Sequence, residues 1–147
     1  MNCANPIATE EARVQAIRSL KLPMGLLGFE QMKDYSLIQN AGEEPFGWLV
    51  VTDNPGLAFV VVEPFIIMPD YRPDIPQPDV DFLGLDRPED ALLLNIVTLH
   101  GFNPATINLK GPLVLNRHSM LGKQVILSNA AEYSVQHPLP SPEFAVE

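Results

Sequence analysis

Apolar residues along the chain come in short runs that are separated by turn-forming residues. Fifteen prolines and nine glycines interrupt the sequence, and the apolar runs between them are about five to eight residues long, which suits strands better than helices. Some runs alternate apolar and polar side chains, as residues 106–109 do, whereas residues 92–94 are apolar without alternation. Alternation places one face of a strand in the core, and a continuous apolar run indicates a strand buried on both faces. The pattern therefore predicts a mostly β chain.

One β-hairpin is predicted with particular clarity in the middle of the chain. Residues 47–52 (GWLVVT) and 57–62 (LAFVVV) flank the sequence Asp53-Asn54-Pro55-Gly56. These residues favour a tight turn because proline fixes φ and glycine accepts a positive φ. Further strands are expected in the other apolar runs, at residues 35–39, 65–68, 91–99, 105–109, 112–116 and 124–127, with a turn at 121–123.

Helical structure is expected to be limited. Short helical turns are predicted at residues 29–33 and 78–83, where Pro78 and the acidic residues after it suit a helix start. Residues 10–17 favour a helix by composition and an edge strand by alternation, and both interpretations stay open.

These elements predict a mostly β fold in a single compact domain. We expect an antiparallel, β-barrel-like domain with one or two short helices over residues 18–139, since covered edges explain strands that are apolar on both faces. Residues 1–17 are expected to be poorly ordered or to form an edge segment. Residues 140–147 are expected to form a flexible tail.

The charge balance limits which partners the protein binds. The chain has 18 acidic and 9 basic residues, for a formal net charge of −9. This balance opposes direct binding to nucleic acid or to an anionic membrane, which both depend on lysine and arginine. No apolar run approaches the roughly 20 residues that span a bilayer, and the first residues lack the basic and apolar regions of a secretory signal. A cytoplasmic protein is expected, and a basic partner would be attracted to it.

No catalytic, metal or cofactor site is predicted. Three histidines lie singly in different segments, and Ser119 beside His118 lacks the glycine elbow that presents a nucleophile. The lone Cys3 has no neighbouring metal-ligand residues. Residues 24–28 (MGLLG) precede no helix with a lysine, so they do not form a phosphate-binding loop. The aspartates in residues 70–81 lack the spacing of a calcium loop.

Aromatic residues lie in turns braced by proline or glycine. Such turns occur at residues 28–30, 45–48 and 64–71. Aromatic side chains in these positions either pack at corners of the fold or anchor a recognition surface. Composition leaves both interpretations open.

Taken in order, these turns and several strands resemble the FliW family of flagellar assembly factors. The opening motif is similar to residues 22–30 (LPMGLLGFE), although Leu27 stands where the family usually has proline. The resemblance covers residues 22–139, and its other motifs are Pro45-Phe46, Pro64-Phe65, Pro69-Asp70-Tyr71, Ile96-Val97-Thr98, residues 106–116, residues 122–127, Tyr133 and Pro138-Leu139. The order of many small motifs makes the resemblance specific.

The resemblance implies a cytoplasmic binding protein without a cofactor and without enzymatic activity. Members of this family bind flagellin before export and, when free, bind and antagonise CsrA, the RNA-binding translational regulator, which relieves repression of flagellin synthesis. The free protein is expected to be a monomer.

Within this resemblance we hypothesise two kinds of contact residue. An apolar patch would accept an amphipathic terminal segment of flagellin in the helix-in-groove mode, and its aromatic anchors would be Phe29, Phe46 and Tyr71. Acidic side chains would steer the association with CsrA, and these are Glu30, Asp70, Glu132 and Glu143.

Two alternatives from other classes remain open at this stage. One is a small ligand-binding or enzymatic β-barrel, which the missing phosphate motif and the scattered histidines disfavour. The other is an acidic chaperone for a different secreted protein. Copurification with flagellin distinguishes the flagellar function from both.

Overall fold

The computed structural model describes residues 14–139, and paired strands form the framework of this part of the chain. The strands are β1 (Val14–Lys21), β2 (Asp34–Asn40), β3 (Phe46–Val51), β4 (Ala58–Val62), β5 (Ala91–His100), β6 (Asn103–Ile107), β7 (Leu113–Asn116), β8 (Gly122–Gln124) and β9 (His137–Pro138). Two α-helices, α1 (Pro64–Ile67) and α2 (Gln77–Leu83), lie between β4 and β5. Short 3-10 turns occupy Pro88–Asp90 and Ala130–Glu132.

All the strand pairs of this sheet are antiparallel. The strands follow the order β1-β2-β3-β4-β5-β6-β9, and β7 pairs with both β5 and β8. The long strand β5 pairs with β7 through Ala91–Leu94 and with β6 through its second half. The sheet curls back on itself, because the Lys21 N–H donates to the Met120 carbonyl at 3.1 Å and brings the end of β1 against the β7–β8 connection. The predicted mostly β, antiparallel, single-domain fold is confirmed, and barrel-like describes it loosely because the sheet is not closed.

Hydrophobic side chains bury both faces of the sheet. Alternate residues of β5 illustrate the division, since Leu92 and Leu94 belong to one buried cluster and Leu93 and Val97 to the other. The first cluster fills the inside of the curl, and α1 and α2 help to cover the second. Each fully buried aliphatic side chain stabilises the fold by about 1.5–3 kcal/mol relative to exposure. This arrangement explains why several strands are apolar without alternation.

The helix predicted at residues 78–83 is confirmed as α2. Pro78 lies in its first turn, where a missing N–H costs no helical hydrogen bond. Gly84 ends the helix in the left-handed conformation with φ of 68°. Leu83 packs into the second cluster, and Asp79 forms an ion pair with Lys123 of β8. The helix is thereby fixed over one face of the sheet.

Four local predictions are wrong. Residues 65–68 form most of the helical turn α1 rather than a strand, because Pro64 starts a helix and the Met68 N–H bonds back to its carbonyl at 2.8 Å. The strand predicted at 124–127 lies earlier, at β8, and the turn predicted at 121–123 is largely part of that strand. Residues 29–33 form a hydrogen-bonded turn from Phe29 to Met32 and no helix.

The expected terminal segments lie largely outside the described residues. The last four residues of the segment 1–17 belong to β1, which pairs with β2 at one end of the strand order. The predicted tail at 140–147 falls wholly outside the described part of the chain.

Candidate protein-binding site

The three predicted aromatic anchors occupy different environments. Phe29 is half-buried, and its ring meets that of Phe59 edge to face with 5.1 Å between the centroids. Phe46 is also half-buried and packs against the second cluster. Tyr71 is only 1% exposed, and its hydroxyl donates to the Leu109 carbonyl at 2.6 Å. Burial raises the pKa of Tyr71 to about 12. Tyr71 is therefore a core residue and not a surface that a partner touches, which corrects its expected placement.

The predicted acidic residues lie on two separate parts of the surface. Asp70 and Glu132 are exposed, and each directly precedes a tyrosine of the pair Tyr71 and Tyr133, whose rings pack with centroids 4.8 Å apart. The structure thus brings these two carboxylates to one side of the fold. Glu30 is exposed on the loop before β2, where the Gly28 N–H donates to its carboxylate at 3.1 Å and lowers the pKa of Glu30. Glu143 lies outside the described residues.

The ladder between β4 and β5 ends earlier than the ladder between β4 and β3. Five residue pairs join β4 to β3, but only three join it to β5, ending at Val60 opposite Val97. Continuing this register would place Ala58 opposite Leu99, yet that pair is not formed. Leu99 has no partner in the β5–β6 ladder either, because a bulge lies between Thr98 and His100. We call Ala58 and Leu99 the open pair.

The register shows where the backbone groups of the open pair point. The Val51 N–H donates to the Leu57 carbonyl, so odd-numbered residues of this segment hydrogen-bond towards β3. In an antiparallel sheet the intervening residues bond towards the other neighbour. The backbone groups of Ala58 therefore face β5, as those of Val60 do. The Asn108 N–H donates to the Ile96 carbonyl at 3.0 Å, which by the same rule directs Leu99 towards β4.

A cleft opens where the two strands separate. On the face of the first cluster it has a volume of about 670 Å³, and apolar side chains line it, chiefly Leu27, Phe29, Phe59, Ile96, Leu99 and Val135. A hollow of about 400 Å³ adjoins it on the face of the second cluster, lined chiefly by Phe46, Trp48, Val60, Val97, Ala105 and Leu139. Trp48, Val60, Val97 and Leu99 line both spaces. We refer to the two spaces together as the β4–β5 cleft.

Exposed apolar side chains and an acidic rim characterise this cleft. Leu99 is 70% exposed and Trp48 is 38% exposed, although both lie on the sheet. In the described part of the chain, the charged residues that line the cleft are Glu43 and Glu44, on the connection between β2 and β3. A Glu43 oxygen accepts a hydrogen bond from the Trp48 indole at 3.1 Å and another from the Asn40 amide at 3.0 Å. These bonds hold the indole in place at the acidic edge.

The chemistry of the cleft suits binding. Its lining combines a large apolar surface with unpaired strand positions, and such surfaces mark sites of protein interaction.

The histidines lie outside the cleft, with His118 against Asp90 at 2.9 Å and His100 against Thr106 at 2.8 Å. Within residues 14–139, no group of three or more histidine, cysteine, aspartate or glutamate residues is placed to hold a metal ion. In the same range, no helix has the length and apolar character needed to cross a membrane.

Sequence reasoning identified only part of this cleft. Phe29 and Phe46, two of the three expected aromatic anchors, line it, whereas Trp48 and Leu99 are not among the expected contact residues. Trp48 lies in the proline-braced segment 45–48, which was the available signal. Nothing in the sequence around Leu99 indicates the bulge that exposes it.

Comparison with known proteins agrees with this fold. The family model described as FliW protein matches residues 5–139. A flagellar assembly factor FliW of Leptospira biflexa is 41% identical over 116 residues, covering 78% of this chain and 76% of the relative. The factor of the same description from Clostridioides difficile is 36% identical over 121 residues, covering 82% and 92%. A crystal structure of the flagellar assembly factor FliW matches with a TM-score of 0.74 and 34% identity, covering 85% of this chain and 87% of that one. The chain therefore belongs to the FliW family of flagellar assembly factors.

Proposed function

We propose that the protein binds flagellin in the cytoplasm and, when it is free of flagellin, binds and antagonises CsrA, which relieves repression of flagellin synthesis. Membership of a family of flagellar assembly factors supports this proposal. The observation that carries it is the β4–β5 cleft, an exposed apolar surface with an acidic rim. The protein acts as a binding protein that two partners occupy in turn.

Flagellin binds in the β4–β5 cleft. An apolar segment of flagellin would bury Leu99 and Trp48, whose exposure otherwise leaves apolar area in contact with water. Phe29 and Phe46 contribute side walls of the cleft and are the remaining aromatic anchors. Covering that flagellin segment would keep it from associating with other flagellin molecules in the cytoplasm.

Replacing Leu99 by aspartate tests this assignment. Leu99→Asp places a charge in the middle of the apolar surface, and we expect flagellin affinity to fall by at least about tenfold, as for a central interface residue. Isothermal titration calorimetry with purified flagellin measures the change. Ile66→Asp is the matched control, because Ile66 is a similarly exposed apolar residue on α1 outside the cleft. Equal affinities for the two variants would refute the assignment, and absence of flagellin binding by the native chain would refute the function.

CsrA is steered by the acidic surface that includes Asp70 and Glu132. A net charge of −9 attracts a basic RNA-binding protein, and local acidic clusters raise the association rate more than the affinity. This acidic surface lies apart from the cleft, since neither residue lines it.

The double variant Asp70→Asn, Glu132→Gln tests the steering. We expect its association rate with CsrA to fall several-fold at low salt with little change in dissociation, as measured by stopped-flow or surface plasmon resonance. The control Asp86→Asn, Glu89→Gln removes the same charge from two exposed residues on the α2–β5 connection. The native rate should also fall steeply with added salt. A rate that is insensitive to salt, or equal losses in both double variants, would contradict local steering.

A further inference from the structure

We propose that the β4–β5 cleft binds its partner segment as an extended strand that enters the sheet between the open ends of β4 and β5. The segment carries apolar side chains on both of its faces and is flanked by lysine or arginine. This inference rests on the proposed function for the identity of the protein that supplies the segment, which is flagellin. It replaces the helix-in-groove mode expected from the sequence.

The backbone of the open pair provides the first argument. Ala58 belongs to β4 but has a ladder partner on the β3 side alone, and Leu99 has a partner in neither ladder of β5. The register directs the N–H and C=O groups of both residues into the space between the strands. Unpaired strand positions are templates for an incoming strand, whereas a helix satisfies its own backbone groups and would leave these open. An added strand can hydrogen-bond to Ala58 on one side and to Leu99 on the other.

The distribution of apolar space provides the second argument. The larger part of the cleft lies on the face of the first cluster, beside Phe59 and Ile96, and the smaller hollow lies on the face of the second, beside Phe46 and Val97. Successive side chains of a strand point to opposite faces of its sheet. A strand placed at the open pair would therefore send alternate side chains into the two spaces. A helix lying in a groove presents one apolar face and would fill only one of them.

Charge complementarity specifies the ends of the segment. Among residues 14–139, the lining of the cleft contains Glu43 and Glu44 and no lysine or arginine, and Glu30 lies on the loop that supplies Leu27 and Phe29. An occupant with basic residues next to its apolar core would meet acidic side chains where it leaves the cleft. An acidic occupant would be repelled there.

Replacing Ala58 by proline tests the strand mode. Ala58→Pro removes an N–H that the β3–β4 ladder does not use, and proline is tolerated where the N–H of a strand faces away from its partner. Ala58→Val keeps the N–H and serves as the control. We expect flagellin affinity to fall about three- to tenfold in the proline variant, as for the loss of a backbone hydrogen bond, and to stay within about twofold in the valine variant. Equal affinities for the two variants would overturn the proposal.

Backbone methylation of the ligand gives a second test that does not depend on the folding of a variant. Overlapping twelve-residue synthetic peptides that cover flagellin are titrated while the fluorescence of Trp48, the single tryptophan of the chain, is recorded. The tightest-binding peptide is then N-methylated at one position at a time. A strand between β4 and β5 predicts that a run of consecutive methylations at its centre each weakens binding by at least about threefold, because its alternate N–H groups bond to the two flanking strands.

The outcomes separate the inference from the proposed function. If flagellin binds but no peptide changes Trp48 fluorescence, or if methylation has no effect at the centre, the strand mode is wrong and the function stands. If alanine substitutions along the same peptide weaken binding only with a period of three to four residues, a helix occupies the cleft instead and the inference is overturned. If neither flagellin nor any of its peptides binds, both the function and the inference fail.

Discussion

The two edges of β4 differ in how much of their length is paired with the neighbouring strand. Its β3 edge is paired from end to end, and Leu49, opposite Phe59 in that ladder, is fully buried. Its β5 edge is paired over three residues and then opens, and Leu99, which would stand opposite Ala58, is 70% exposed. The closed edge uses backbone and side chains to stabilise the fold. At the open edge, the backbone groups of Ala58 and Leu99 and the Leu99 side chain stay accessible to another protein.

Truncating a leucine at each edge should produce the largest contrast. Leu49→Ala leaves a cavity in the first cluster, and we expect the free energy of unfolding to fall by about 2–5 kcal/mol. Leu99→Ala removes an exposed side chain and should change it by less than about 0.5 kcal/mol. Urea unfolding followed by circular dichroism measures both, and flagellin titration on the folded proteins supplies the second half of the comparison.

The same two substitutions should affect flagellin affinity in the reverse order. Leu99→Ala should weaken flagellin binding, while any Leu49→Ala protein that remains folded should bind nearly as well as the native chain. A strongly destabilising Leu99→Ala substitution would mean that Leu99 serves the core and that the edge is not open.

Two glycines in the loop beside the open edge give a smaller contrast. Gly25 has φ of 66°, and an added Cβ would lie 2.6 Å from the Glu30 Cα and from the Phe29 carbonyl oxygen. Gly28 has φ of 88°, but an added Cβ would meet no atom within 4 Å. We expect Gly28→Ala to cost about 1–2 kcal/mol from the positive φ, and Gly25→Ala to cost at least about 1 kcal/mol more from steric overlap. Thermal and urea unfolding test the difference.

The Gly25 substitution also perturbs the cleft, because relief of the overlap must move the backbone that carries Phe29. Flagellin affinity should therefore fall more for Gly25→Ala than for Gly28→Ala. Equal stability and equal affinity in the two variants would show that this loop does not shape the open edge.

Acidification should lower the stability of the fold through Asp90, at the start of β5. Asp90 directly precedes β5, where it lies 2.9 Å from the His118 ring nitrogen and accepts the Arg87 N–H at 3.1 Å. The His118 hydrogen bond, together with Arg87, holds the pKa of Asp90 below its usual value. A carboxylate whose pKa is lower in the folded state stabilises the fold above its unfolded pKa, and this contribution is lost as the pH falls through the folded pKa.

The Asp90→Asn variant should therefore lose less stability than the native chain when the pH is lowered from 7 to below about 4. Urea unfolding at a series of pH values measures the two slopes. Flagellin affinity at neutral pH should be unchanged, because Asp90 lies outside the residues that line the cleft. Parallel stability profiles for the two proteins would contradict the assigned role of Asp90.

Local sequence signals predicted most of the strands and missed elements whose signals conflict. The hairpin of β3 and β4 was evident because Pro55 and Gly56 mark its turn between two apolar runs. The turn α1 was missed because Phe65, Ile66 and Ile67 favour strands, and only Pro64 indicates a helix start. The position of β8 depends on Gly122, where an added Cβ would approach Leu115 and Leu22. That packing requirement involves residues distant in sequence.

The site was less predictable than the fold, for a physical reason. The aromatic turns and acidic residues were visible in the sequence, but exposure depends on which strands pair and where their pairing stops. Tyr71 and Trp48 both lie near proline, yet one is buried against Leu109 and the other faces the cleft. The open pair joins residues 58 and 99, and no local pattern specifies the register between segments so far apart.

A buried amide keeps the open edge where it is. Asn95 is fully buried opposite Val62, at the point where β5 changes partners from β7 to β6, and its side-chain N–H donates to the Asn108 carbonyl at 2.7 Å. Shifting β5 along β4 by one residue would break this hydrogen bond. It would leave a polar group unpaired among leucine and valine side chains. The Asn95 amide thus helps to fix the position of β5 along β4. This buried polar contact thereby favours the register in which Leu99 is the exposed leucine.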